Sequence, residues 1–321
     1  MKVVTILVPC YNEEKSLPLL YDALMKIIEK QADYAWELLF VNDGSDDNTL
    51  AVIKQLRLRD RRVCYVDLSR NFGKEKAMLA GFDNASGDCL IVMDADLQDP
   101  PEVIPQMLDL WKQGWQDVYA CRRTRGRESW VRKTLSLAFY KLLQRSTRID
   151  ILPNVGDFRL LDRKCIDALK QLRESERYTK GMFSWIGFKK VEIVFDRNDR
   201  VEGRSSFSMF KLFNLAIEGI TSFTTAPLRL ATVLGVVMSL FTFIYMCYFL
   251  IKTLVLGDDV QGFPTLIIVI LFLGGVQLLS LGIIGEYLGR VFNETKNRPV
   301  YFVQDKELNT TPDSDETPSH E

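Results

Sequence analysis

Histidine is almost missing from this chain. Among 321 residues there is one, His320, beside the C-terminus. A zinc site built on imidazole and a histidine general base are therefore both excluded as the centre of its chemistry. The six cysteines, at 10, 64, 89, 121, 165 and 247, form no CxxC pair. They read as buried, reduced thiols, which fits a cytosolic compartment. An excess of either charge is lacking too: 41 Lys+Arg stand against 42 Asp+Glu, for a net charge of −1. That argues against a nucleic-acid binder, so any basic function must come from a local patch. The N-terminal MKVVTILVPC lacks a long apolar region and a cleavage site, and reads as a buried strand rather than a signal peptide. With 47% hydrophobic residues, disorder is excluded for most of the chain. Length suggests about two domains.

Charge is absent from two long stretches, 230–251 and 263–284, each of 22 residues. At 1.5 Å per residue, each helix would reach roughly 33 Å, enough for a bilayer core of about 30 Å. A buried soluble helix of that length would normally keep a polar stripe, and neither has one. Lys211 and Arg229 precede the pair, and Arg290, Lys296 and Arg298 follow it. The positive-inside rule then puts both flanks in the cytoplasm and the short loop outside. The expected organisation is a cytoplasmic domain over 1–205, an interfacial helix over 206–229 and a membrane hairpin over 230–288. A cytoplasmic tail over 289–321 follows, disordered after about 307, where the sequence turns acidic and rich in Ser, Thr and Pro. This places the protein in the cell membrane as a multi-pass chain with both termini inside.

In the first part, apolar β-rich runs alternate with helical stretches. Strands are predicted at 3–8, 37–41, 63–67, 89–93 and 118–120, with helices at 16–30, 48–59, 74–84 and 101–113. Such alternation implies an α/β fold, a mostly parallel sheet with helices on both faces. Ligands of such sheets bind beyond the carboxyl ends of the strands, and polar clusters fall there: PCYNEE at 9–14, NDGS at 42–45, SRNFG at 69–73 and DADLQ at 94–98. Asp94 and Asp96 end an apolar strand. Two carboxylates one residue apart can hold a hard divalent cation, which can bridge a nucleotide diphosphate; the same pair can also be an ordinary turn. Asp43 reads either as a turn residue or cap before the Asn48 helix, or as a hydrogen-bonding partner of a base or ribose.

PCYNEE (9–14), VNDGSDD (41–47), RNFGKEKA (70–77), MDADLQDPP (93–101) and VGDFRLLDR (155–163) together resemble glycosyltransferase family 2, which has the GT-A fold. Order, spacing and the C-terminal hairpin are similar to the polyprenyl-phosphate glycosyltransferases, especially the bacterial bactoprenol glucosyltransferases, with dolichol-phosphate mannose synthase more distant. The resemblance spans about 3–303. It implies that Pro9, Tyr11, Asn12, Glu13, Asp43 and Asp94 hold the nucleotide. Asp94, Asp96 and Gln98 would hold Mg²⁺ or Mn²⁺ and the diphosphate, and Asp157 would serve near the acceptor as base or positioning carboxylate, making Asp96 and Asp157 the catalytic candidates. Arg200 and Ser205 match the family's Arg-x-x-Gly-x-Ser-Lys loop. Ser206 replaces its Lys, and neighbouring Arg204 can compensate.

From Arg122 to Arg148 the chain concentrates nine Lys/Arg against one acid, Glu128. Within it, SWVRKTLSLAFYKLLQR places Trp130, Leu135, Phe139 and Leu143 at helical spacing, as an interfacial helix would. Arg122, Arg132 and Ser136 are the candidates there for a lipid phosphate. The expected reaction is transfer, with inversion, of a monosaccharide from a nucleotide sugar, UDP-glucose before UDP-N-acetylglucosamine or GDP-mannose, to polyprenyl phosphate. The competing readings are an anchored transferase with a non-lipid acceptor, a processive synthase and a non-catalytic membrane scaffold. A processive synthase would carry more spans and a Gln-x-x-Arg-Trp motif. Gly274, Gly275, Gly282 and Gly285 allow close helix approach, compatible with a homo-oligomer.

Overall fold

The computed structural model describes residues 1–122, 155–175, 177–195, 226–256 and 262–309. The basic helix candidate and the loop around Arg200 lie outside these residues. The chain divides into two compact units, one of Met1–Gln144, Arg148–Phe207 and Pro299–Glu321, the other of Arg145–Thr147 and Ser208–Arg298.

In the first unit the elements run β1 (Lys2–Cys10), α1 (Ser16–Ile28), β2 (Tyr34–Asn42), α2 (Thr49–Arg59), β3 (Val63–Leu68), α3 (Lys74–Asn84) and β4 (Cys89–Val92). A short 3₁₀ turn then leads into α4 (Ile104–Lys112) and β5 (Asp117–Arg122). After the undescribed segment come β6 (Val155–Asp162), α5 (Arg163–Gln171), α6 (Thr179–Trp185) and β7 (Lys190–Phe195). The last strand, β8 (Val303–Glu307), is contributed from beyond the apolar helices. The eight strands form one sheet in the order β7-β5-β6-β4-β1-β2-β3-β8. Strands β1–β4 run parallel, whereas β6 and β8 are antiparallel to their neighbours.

Both faces of the sheet are covered, which explains why its strands are almost continuously apolar. Val4, Ile6, Val8, Leu38 and Phe40 pack with α1, α2 and α4, through Leu17, Leu20, Leu24, Ile53 and Met107. The alternate residues Leu7, Leu39, Val41, Leu90 and Val92 pack with α3, α5 and α6, through Met78, Phe82, Ile166 and Phe183. The chain moves outward from β1 through β2 to β3, then returns to the other side of β1 as β4. That reversal opens a crevice at the carboxyl ends of β1 and β4, where an open α/β sheet binds its ligand.

Under the opposite end of these strands lies a buried polar knot. Glu37 is 2% exposed and accepts hydrogen bonds from Thr5 Oγ1 at 2.5 Å, Ser86 N at 3.0 Å and Ser86 Oγ at 2.9 Å. Removing the carboxylate strands those donors in a dry interior. Glu37→Ala is expected to cost about 3 kcal/mol of unfolding free energy and Glu37→Gln clearly less, as chemical denaturation would measure.

In the second unit, α7 (Ala226–Leu256) and α8 (Phe263–Thr295) are the long apolar helices. By length and composition, Phe272–Thr295 is long and apolar enough to cross a membrane, and Ala231–Tyr245 is a shorter apolar stretch. Their surfaces carry large apolar side chains in the open, among them Val236, Phe241, Leu278 and Leu288. A water-soluble helix surface would be polar there.

Candidate active site

The ends of β1, β2 and β4 surround a cleft of about 290 Å³. Pro9, Tyr11, Glu13, Asp43, Asp94 and Asp96 all line it, together with Cys10, Asn71, Gly73, Lys74, Ala77 and Ala95. The cleft's walls are loops tied to each other. Asn12 adopts a left-handed conformation with φ 57°. Its N–H donates to Ser45 Oγ at 3.0 Å, and its Oδ1 accepts from Asp46 N at 2.9 Å. Glu14 N donates to Asp47, and Glu14 Oε2 accepts from Asn48. Asn12 and Glu14 thus fasten the β1 loop to the β2 loop, with Tyr11 and Glu13 left beside the cleft.

Asp43 has a role not read from the sequence. Almost fully buried, its carboxylate accepts from Phe72 N at 2.7 Å and from Gly73 N at 2.9 Å. It clamps the β3–α3 loop. Burial raises its pKa, against the pull of those two N–H groups. It does not cap α2; near that helix start, Asp47 accepts from Thr49 N instead. Gly44, next in sequence at φ 62°, lies so close to the same loop that a Cβ would come within 2.3 Å of the Arg70 carbonyl carbon.

The clamped loop delivers Lys74, the first residue of α3, to the acids. Its ammonium lies 2.5 Å from Asp94 Oδ1 and 2.7 Å from Asp157 Oδ2. Asp157 comes from β6, which pairs with β4, and Asp94 lies just beyond the end of β4, so adjacent strands bring both carboxylates to one lysine. Burial pushes the Asp157 pKa up, but Lys74 and Lys180 outweigh it and hold the group below the usual carboxylate range. The Lys74 ammonium loses by burial and gains more from Asp94 and Asp157, so its pKa rises. Beside it, Glu75 accepts from the N–H and hydroxyl of Thr179, fixing the start of α6 and with it Lys180. Burial raises the Cys10 thiol well above its ordinary value, and Glu13 adds to this. Both effects disfavour the thiolate form.

The RNFGKEKA segment carries part of the family resemblance, but the sequence alone gives Lys74, Glu75, Thr179 and Lys180 no role. The available signal was a lysine directly after a glycine at a strand's carboxyl end. Arg122 closes β5; Arg132, Ser136, Arg200, Arg204 and Ser205 fall outside the described residues.

A hard cation would meet suitable donors. Asp94 and Asp96 border the cleft. Leu97, with φ 59°, turns the chain sharply after them, and such a conformation is rare for a bulky residue. Gln98, 6% exposed, keeps its buried Oε1 without a hydrogen-bond partner, as does the buried Asp157 Oδ1. Among the described residues, no three or more His, Cys, Asp or Glu side chains form a complete cage. Two carboxylates completed by substrate phosphates is how Mg²⁺ and similar ions are commonly held.

Residues 5–170 match the family described as Glycosyl transferase family 2, and residues 226–291 match the GtrB C-terminal hairpin. An uncharacterized glycosyltransferase of Synechocystis is 47% identical over 302 residues, covering 94% of this chain and 95% of the relative. The bactoprenol glucosyl transferase of Shigella phage SfII is 42% identical over 301 residues, covering 94% and 97%. A prophage bactoprenol glucosyl transferase homolog of Escherichia coli K12 is 40% identical over 301 residues, covering 94% and 98%.

Proposed function

The chain belongs to glycosyl transferase family 2, and from that premise we propose that it moves a monosaccharide from a nucleotide diphosphate sugar to polyprenyl phosphate in the membrane. The observation that carries this reading is the cleft at the carboxyl ends of β1, β2 and β4, bordered by Asp94 and Asp96, in a chain that also carries the GtrB hairpin. Relatives named for bactoprenol glucosyl transfer match nearly its whole length.

Pro9, Tyr11, Asn12, Glu13 and Asp43 form or brace the nucleotide side. Asp94, Asp96 and Gln98 would hold Mg²⁺ or Mn²⁺, which supplies charge neutralisation to the leaving diphosphate. Arg122, Arg132, Ser136, Arg200, Arg204 and Ser205 are assigned to the acceptor phosphate, whose planar, bidentate recognition suits arginine. A phosphate oxygen of the lipid attacks the sugar's anomeric carbon as the bond to the diphosphate breaks, with inversion. A phosphate monoester is already largely ionised at neutral pH, so it needs no strong base. A carboxylate held charged by two lysines suits that chemistry: Asp157 positions the reacting groups.

UDP-glucose is the proposed donor. Connectivity supports a sidedness. β8, beyond the hairpin, pairs with β3 of the catalytic sheet, so the chain leaves and rejoins one folded body across two apolar helices. Catalytic domain and hairpin flanks then share one face of the membrane, the cytoplasmic one by the positive-inside rule.

The test incubates membranes carrying the protein with radiolabelled nucleotide sugar and polyprenyl phosphate, then extracts with organic solvent. Label from UDP-glucose in the lipid phase is the expected result. Label confined to a water-soluble product would replace the lipid acceptor with another. No transfer from UDP-glucose, UDP-N-acetylglucosamine or GDP-mannose would leave only the scaffold reading.

A further inference from the structure

We propose that Lys74 is an internal stand-in for the divalent cation. Its ammonium neutralises Asp94 and Asp157 in the donor-free enzyme, keeps bare metal out, and gives up Asp94 only when metal and diphosphate enter together. The inference rests on the assignment of Asp94 and Asp96 to the metal.

The geometry sets up a competition. Lys74 Nζ is 2.5 Å from Asp94 Oδ1 and 2.7 Å from Asp157 Oδ2, so one cation spans two acids from neighbouring strands. A divalent ion coordinating the same Asp94 carboxylate would sit within a few ångströms of that ammonium, close enough for the two like charges to repel each other. Each cation therefore weakens the other's hold on Asp94. With only the Asp94–Asp96 pair and Gln98 to offer, the protein binds the ion weakly, and a resident lysine makes that binding weaker.

The lysine can move while its backbone cannot. Asp43 fixes the loop through Phe72 N and Gly73 N, and α3 begins at Lys74 itself. The four-carbon stem beyond is flexible, and its ammonium is a point charge without directional demands. Its side chain is 42% exposed, so there is room to turn. Once the diphosphate arrives, its anionic oxygens offer Lys74 a new partner and release Asp94 to the metal. The Asp157 contact can persist, keeping that carboxylate charged and in place. Lys74 is thus a positioning residue that couples metal entry to nucleotide entry.

The experiment measures Mn²⁺ binding, not only transfer. Purified full-length protein in detergent is titrated with Mn²⁺ alone and with Mn²⁺ plus UDP, and free Mn²⁺ is followed by electron paramagnetic resonance. Lys74→Met is expected to bind Mn²⁺ alone about tenfold more tightly than the wild type, and the enhancement by UDP should shrink correspondingly. Lys74→Arg should stay near the wild type. Lys74→Gln provides a second neutral variant should the methionine variant fold poorly. Adding Asp94→Asn to Lys74→Met should abolish the gain, locating it at this carboxylate. Unchanged or weaker Mn²⁺ binding in both neutral variants overturns the inference and leaves the metal assignment standing. If Asp94→Asn alone leaves Mn²⁺–UDP binding intact, the metal assignment itself fails, and this inference with it.

Discussion

Asp157→Asn is expected to lower transfer by about 100-fold or more while the protein still inserts into membranes and melts as the wild type does. The substitution removes the charge that meets Lys74 at 2.7 Å but keeps the side chain's size. The pH profile separates the two roles open to this residue. Lys74 and Lys180 hold Asp157 below the ordinary carboxylate range despite its burial, so it remains charged as pH falls from 8 to 5. An acid-side loss of wild-type activity in that window must come from another group. The acceptor phosphate is that group, because a monoester takes up its second proton near a pKa of about 6. The variant should therefore show a much lower plateau with the same acid-side midpoint, measured as kcat/KM for the lipid acceptor. A midpoint that vanished or moved in the variant would mean that Asp157 itself titrates in this window as the base, and would sink both its lowered pKa and the positioning role.

The fold's core was legible because its signals are local. Runs such as VVTILV and LLFV are apolar on both faces, as strands buried between two helical layers must be, and Leu17, Leu20 and Leu24 repeat at helical spacing. The polar ends of these strands were equally plain, and six of the residues predicted to hold nucleotide or metal line one cleft. What the sequence hid depends on distant partners. β8 reads as charged tail, VQDKE, yet it closes the sheet edge against β3, with Asp305 meeting Lys54 at 2.8 Å and Tyr65 at 2.9 Å. Nothing near residue 305 announces partners some 240 positions away. The antiparallel β6 was hidden for the same reason. Alternating strands and helices suggest a parallel neighbour for β4, but the strand that docks there comes after the undescribed segment and brings Asp157 with it. Lys74 was visible as a letter in a motif. Its meaning required β4 and β6 to be side by side.

Gly44→Ala is expected to cost about 2 kcal/mol or more of stability and to disable transfer, although Gly44 touches no reacting group. Two costs add. A left-handed residue with a Cβ is strained by roughly 1 kcal/mol or slightly more. In addition, the new methyl would lie 2.3 Å from the Arg70 carbonyl carbon and 2.5 Å from Asn71 N, and backbone atoms cannot rotate out of the way as a side chain could. The β3–α3 loop must retreat, and the Asp43 bonds to Phe72 and Gly73 stretch with it. Lys74 then leaves the acids. Gly114 supplies the control: it too is left-handed, at φ 95°, but nothing lies within 4 Å of its Cβ position. Gly114→Ala should lose only the strain, about 1 kcal/mol, and keep its activity. Thermal melts together with donor binding distinguish the pair. Equal melting losses with equal retained transfer would show that the close approach at Gly44 does not set the position of Lys74.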